Sequence, residues 1–117
     1  ATITMAHRYA RPVMPGAPTP TEIVTAWSAG ADIVKVFPAN HFGPTYFHDL
    51  KGPLPQVRLT PTGGVDLGTA ADWIKAGAVC LGVGGALVRR DLVEAADWAG
   101  LSALAARYVE IVRQARA

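Results

Sequence analysis

One lysine interrupts an apolar run. In Asp32-Ile33-Val34-Lys35-Val36-Phe37-Pro38-Ala39 the flanking residues are β-branched or aromatic, and Pro38 closes the segment, which reads as a short strand. Side chains alternate along a strand, so Ile33, Lys35 and Phe37 share one face and Val34 and Val36 the other. A strand covered on both faces keeps the ammonium from water, and burial disfavours the charged form. A neutral lysine amine is a nucleophile that condenses with a ketone to a Schiff base. The plainer alternative is a strand-end lysine whose stem reaches solvent. The run by itself does not separate the two.

Two glycine pairs offer a second chemistry. Pro61-Thr62-Gly63-Gly64-Val65 and Gly82-Val83-Gly84-Gly85 each follow an apolar run of strand type. In parallel β/α folds, ligands bind at the carboxyl ends of the strands. Glycine lets backbone N–H groups approach an anion without a Cβ in the way. A single glycine pair is most simply a turn. Two pairs in equivalent loops of successive units favour Gly63, Gly64, Gly84 and Gly85 as an anion cradle. Thr62 ends its strand, where its hydroxyl can bond a carboxylate or serve only as a turn residue. Pro15-Gly16 ends an earlier short strand, and Pro15 is placed at the same rim.

The remaining candidates are plainer. His7, His41 and His48 show no metal spacing, so no metal site is expected, and no cofactor is called for. Cys80 is the sole cysteine, in the apolar Ala78-Val79-Cys80-Leu81, and reads as a small core residue in a reduced protein. Trp27, Trp73 and Trp98 fall on apolar helix faces and are expected in the core.

The elements that must carry these residues follow from the pattern. Thr2 to Tyr9 reads as the tail of a helix. Pro12-Val13-Met14 is a short strand closed by Pro15-Gly16. A helix capped by Thr19 or Thr21 runs to Gly30, and the lysine strand follows. Tyr46 to Leu50 is a short helix, Val57 to Thr60 a strand, and Asp66 caps a helix ending at Gly77. Ala78 to Val83 is the last strand, followed by a turn at Ala86-Leu87-Val88. Asp91 caps a helix through Trp98. After Gly100 the longest helix runs Leu101 to Gln114, with a stripe of Leu104, Tyr108, Ile111 and Val112. Alternating strands and helices, repeated about four times, predict an α/β fold with a parallel sheet. A closed eightfold barrel takes about 200–250 residues, and the chain has 117. Half of the residues are hydrophobic and the formal net charge is +2, which suits one globular domain spanning 1–117 and gives no reason to expect nucleic acid. No run has the length of a membrane span and no signal peptide is visible, so a cytoplasmic setting is expected.

Three segments occur together, in order and at matched spacing: Pro15-Gly16 with Thr19-Pro20-Thr21-Glu22-Ile23, Val34-Lys35-Val36-Phe37-Pro38-Ala39, and Pro61-Thr62-Gly63-Gly64-Val65. The combination closely resembles the 2-keto-3-deoxy-6-phosphogluconate (KDPG) and 4-hydroxy-2-oxoglutarate aldolases. The resemblance implies a class I, Schiff-base lyase on a (β/α)8 barrel, acting on a small-molecule keto acid. It implies Lys35 as the Schiff-base lysine and Phe37 as an aromatic against the keto acid. Thr62 and Gly63 would hold the carboxylate, and Gly84 and Gly85 would form the phosphate loop. Many relatives carry a serine after those last glycines, where this chain has Ala86. The family's general base, a glutamate on an early strand, has no counterpart, because the chain matches only the carboxyl half of the barrel. Glu22 lies in a helix and is a poor substitute. The resemblance further implies a homo-oligomer, a trimer of whole barrels, or a complementary half-barrel as partner. Two rival readings remain: a phosphosugar isomerase or synthase without a covalent lysine, and a non-catalytic half-barrel that assembles with copies of itself.

Overall fold

The computed structural model describes residues 1–117. Helix α1 (Thr2–Arg8) leads to α2 (Pro20–Ser28), strand β1 (Val34–Val36), α3 (Pro44–Lys51), strand β2 (Leu59–Pro61), α4 (Ala70–Lys75), α5 (Arg90–Glu94) and α6 (Trp98–Arg116). A single turn of 3₁₀ helix, Ala39–His41, follows β1. The two strands pair in parallel, with Lys35 beside Thr60 and Val36 beside Pro61. Two further extended segments flank them in parallel. Residues 13–17 bond to the lysine strand through Asp32 N–H to Val13 O, Lys35 N–H to Pro15 O and Ala17 N–H to Lys35 O. On the other side, Val79 N–H donates to Leu59 O and Gly82 N–H to Pro61 O.

The expected first strand therefore shifts. Pro15 and Gly16 do not close it; they are its paired part, and Gly16 bridges Lys35. Proline supplies only an acceptor, and here its carbonyl takes the Lys35 N–H. The expected last strand shrinks to one bridge, Thr62 with Gly82.

One face of the sheet carries the core. Val34, Val36, Leu59 and Pro61 are fully buried beneath Ile23 of α2, Phe47 and Leu50 of α3, and Trp73 and Ile74 of α4. Phe47 and Trp73 meet edge to face at 5.0 Å. The loop before β2 is tied from below: Lys51 Nζ donates to the carbonyls of Pro55 and Val57 at 2.8 and 2.9 Å. Trp27 is only half-buried, with the Arg58 guanidinium 5.5 Å from its ring centroid. Cys80 is likewise half-buried, which corrects its expected place in the core. It lies on the segment paired outside β2, where it shares an apolar concavity with Leu81, Val83, Leu87 and residues of α6.

The carboxyl-terminal helices break where sequence reasoning did not place the break. Ala96 takes φ +51°, ending α5 early, and Asp97 starts α6 by accepting the Gly100 N–H at 2.8 Å. Gly100 is thus in the first turn of α6. A Cβ there would stand 2.3 Å from the Asp97 carboxylate, so the glycine reads as part of an N-cap and not as a helix stop. Trp98 becomes the first residue of α6 and is 59% exposed, outside the core expected for it. The stripe on α6 holds: Tyr108 is buried, and Leu104, Ile111 and Val112 are half-buried.

Two outcomes test this packing. Phe47→Ala is expected to cost about 3–5 kcal/mol in denaturant unfolding, because a fully buried ring leaves a cavity. His7 Nε2 lies 3.0 Å from Asp32 Oδ2, and the Val13 N–H donates to the same oxygen at 2.8 Å. The His7 bond, then the Val13 bond, hold the Asp32 carboxyl below its usual range. Its contribution to stability is complete above the unfolded carboxylate pKa and is lost as pH falls through the folded one. Asp32→Asn is therefore expected to flatten the acid limb of the stability profile below about pH 4, measured by circular dichroism at fixed urea.

Candidate functional site

The open face of the sheet carries the lysine. Lys35 is half-buried, beside the buried Thr60 of β2. The expected enclosure on both faces is not met: the helices cover only the side of Val34 and Val36. The Lys35 stem runs beside Gly16, where an added Cβ would stand 3.7 Å from Lys35 Cε. Its ammonium nitrogen lies 5.4 Å from the centroid of the Phe37 ring, within cation–π range. Phe37 is 53% exposed and spreads its other edge over Gly63.

From Phe37 the site continues into a concavity of about 330 Å³, lined by Phe37, residues 62–66 and residues 84–86. The two glycine loops thus face one space. Gly63 and Gly64 have φ +96° and +72°, which L side chains rarely adopt. Their neighbours also forbid a side chain: a Cβ on Gly63 would press the Phe37 ring at 3.3 Å, and one on Gly64 would stand 2.4 Å from Asn40 Cβ. These glycines let the loop lie against 37–40, where Ala39 N–H bonds Thr62 O and Asn40 N–H bonds Gly63 O. Gly84 and Gly85 differ. Neither has positive φ, and nothing lies within 4 Å of a Cβ on either.

The backbone N–H groups of Gly63, Gly64, Val65, Gly84, Gly85 and Ala86 donate to no other backbone group. Six unclaimed donors in two facing loops make an electropositive lining of the kind that takes an anion or a polar oxygen. Thr62 directly follows β2, with its Oγ1 pressed on Gly82, where a Cβ would stand 2.1 Å from the oxygen. Pro15 stands beside Lys35 through its carbonyl and not in the concavity. Glu22 is bound into the capping box of α2 with Thr19, away from the lining. No group of three His, Cys, Asp or Glu side chains is placed to hold a metal ion. No helix is long and apolar enough to cross a membrane.

One lining residue went unremarked in the sequence beyond an expected helix cap, a place that Thr69 takes in the structure. Asp66 is exposed at the edge of the concavity. Its Oδ1 accepts from the Thr69 N–H and hydroxyl at 2.9 and 3.1 Å, and its Oδ2 has no partner. The signal was its place directly after the glycine loop.

The KDPG and KHG aldolase family model matches residues 2–104. The chain belongs to this family. It is 42% identical over 88 residues to the 2-dehydro-3-deoxy-6-phosphogalactonate aldolase of Escherichia coli K12, an alignment covering 74% of this chain and 43% of the relative. It is 34% identical over 101 residues to the 2-dehydro-3-deoxy-phosphogluconate aldolase of Pseudomonas aeruginosa, covering 85% of this chain and 46% of that enzyme. The solved structure of native KDPGal superposes with a TM-score of 0.84 at 37% identity, over 97% of this chain and 53% of its own. The chain therefore spans about half the length of the relatives it matches.

The two glycine pairs separate in a mutational test. Gly64→Ala is expected to lower stability by more than about 1–2 kcal/mol, the cost of a left-handed residue before the Asn40 clash is added. Gly85→Ala is expected to leave stability within about 0.5 kcal/mol; thermal unfolding of the two variants checks the contrast.

Proposed function

We propose that residues 1–117 are one unit, the carboxyl half of a (β/α)8 barrel, and that Lys35 is the Schiff-base lysine of a class I keto-acid aldolase. The observation that carries the reading is the chain of contacts from the Lys35 amine over Phe37 to Gly63 and into the amide-lined concavity. It puts a nucleophilic amine at one end of a site and anion donors at the other. That is the layout a keto acid with a polar tail requires.

The chemistry runs as follows. The Lys35 amine adds to the C2 carbonyl of a 2-keto-3-deoxy sugar acid, and loss of water leaves an iminium. A base takes the proton of the C4 hydroxyl. The C3–C4 bond breaks, its electrons move into the iminium as an enamine, and the C4 fragment departs as an aldehyde. Protonation at C3 and hydrolysis release pyruvate and restore the amine. The aldehyde is glyceraldehyde 3-phosphate from the KDPG substrate, or glyoxylate from 4-hydroxy-2-oxoglutarate. Thr62 and Gly63 hold the substrate carboxylate, Phe37 packs against the keto acid, and Gly64, Gly84 and Gly85 hold the far end. Pro15 fixes the strand on which Lys35 stands. The base in this reading is the glutamate of an early strand that the family resemblance implies, outside these residues. General-base assistance contributes about 10²–10⁴-fold, so this half alone is slow even with its lysine in place. The family is one of aldolases, and no observation favours a phosphosugar synthase without a covalent lysine.

Treatment with pyruvate and borohydride tests the reading. The peptide carrying Lys35 is expected to gain one reduced pyruvyl group, and Lys35→Met to abolish it with the fold retained. A folded chain that takes no label at Lys35 overturns the proposal and leaves the non-catalytic half-barrel as the better account.

A further inference from the structure

We infer that Asp66 selects the charge of the substrate's far end, favouring hydroxyl groups over a phosphoryl group. The inference rests on the aldolase reading and narrows its substrate class. The concavity beyond Phe37 offers two kinds of polar group. The unclaimed N–H groups of residues 63–65 and 84–86 only donate. The Asp66 carboxylate, the one ionisable side chain in the lining, only accepts. Its Oδ1 is committed to Thr69, which holds the carboxylate in place, while Oδ2 stays free. No lysine or arginine lines the space to offset it.

A phosphoryl dianion is acceptor-only under these conditions. It satisfies the amides but meets the carboxylate as a like charge. A hydroxylated chain end is donor and acceptor at once. Its oxygens accept from the amides while an O–H donates to Asp66 Oδ2, so both kinds of lining group are matched. The alanine at 86 points the same way, since it adds no hydroxyl donor for a phosphate oxygen. Asp66 is exposed, so its effect is one of preference and is weakened by salt.

Asp66→Asn removes the charge and keeps a side-chain oxygen for the Thr69 N–H. In the full chain, the amide resonances of Gly63, Gly64, Gly84 and Gly85 report titration with inorganic phosphate above its second pKa. The variant is expected to bind phosphate about three- to tenfold more tightly at low salt, with the gain shrinking at high salt. Borohydride trapping at Lys35 from an equimolar mixture of 2-dehydro-3-deoxygluconate and its 6-phosphate is expected to shift toward the phosphate ester by a similar factor. An unchanged phosphate affinity with the four amides still reporting the ion, or phosphate binding that leaves those amides unmoved, overturns the role of Asp66. Absence of pyruvate labelling at Lys35 overturns the aldolase reading instead, and the phosphate titration can still be read in that case.

Discussion

Helices pack on one side of the sheet only, and that asymmetry governs the rest of the molecule. Val34, Val36, Leu59 and Pro61 draw α2, α3 and α4 onto one face. Alternation then puts Ile33, Lys35 and Phe37 on the other, where Ile33 and Lys35 stay half-buried and Phe37 is exposed. A charged residue is tolerated in the middle of an apolar strand because its face is not core. The same geometry places Lys35 near Phe37 and, through the parallel register, beside Thr60 on the strand that leads into Thr62. Burial of the even-numbered side chains thus aims the amine as well as holding the strand.

The rim follows from how β1 and β2 end. Past both strands the 3₁₀ turn stays tied to the loop after β2, as Ala39 N–H and Asn40 N–H bond the carbonyls of Thr62 and Gly63. Two chains can lie that close only where one of them lacks a side chain and turns with positive φ, and Gly63 and Gly64 meet both conditions. The Phe37 ring then settles on Gly63 and becomes the wall shared by the lysine and the concavity. Tyr46 secures the neighbouring loop from outside by donating its hydroxyl to Pro18 O at 2.7 Å.

Much of this was legible in the chain itself. The strand at 34–36, the helix capped by Thr19, the loop at 61–65 and the buried face of α6 each carry a local signal: alternation, a capping box, a glycine pair, a periodic stripe. What escaped was decided by contacts between elements. Pro15-Gly16 looks like a turn, and only the hydrogen bonds to Lys35 reveal a strand. Gly100 looks like a helix stop until the Asp97 carboxylate is seen in the space of its missing side chain. Trp98 and Cys80 are apolar in sequence, yet Trp98 becomes the exposed first residue of α6 and Cys80 lies half-buried on the segment beside β2. Lys35 was placed correctly in the sheet, but its burial depends on a layer that these residues do not supply.

The contrast between the glycine pairs separates architecture from chemistry. At 63 and 64 the backbone conformation and the neighbouring side chains already demand glycine, so those residues would be needed even by an empty fold. At 84 and 85 neither demand exists: φ is ordinary and the surrounding space is vacant. A Cβ there would meet no other atom of this chain within 4 Å. The fold therefore accounts for glycine at 63 and 64 and leaves 84 and 85 unconstrained. The six unclaimed amides belong to both loops, so a site is argued more strongly from the pair that the fold leaves unconstrained.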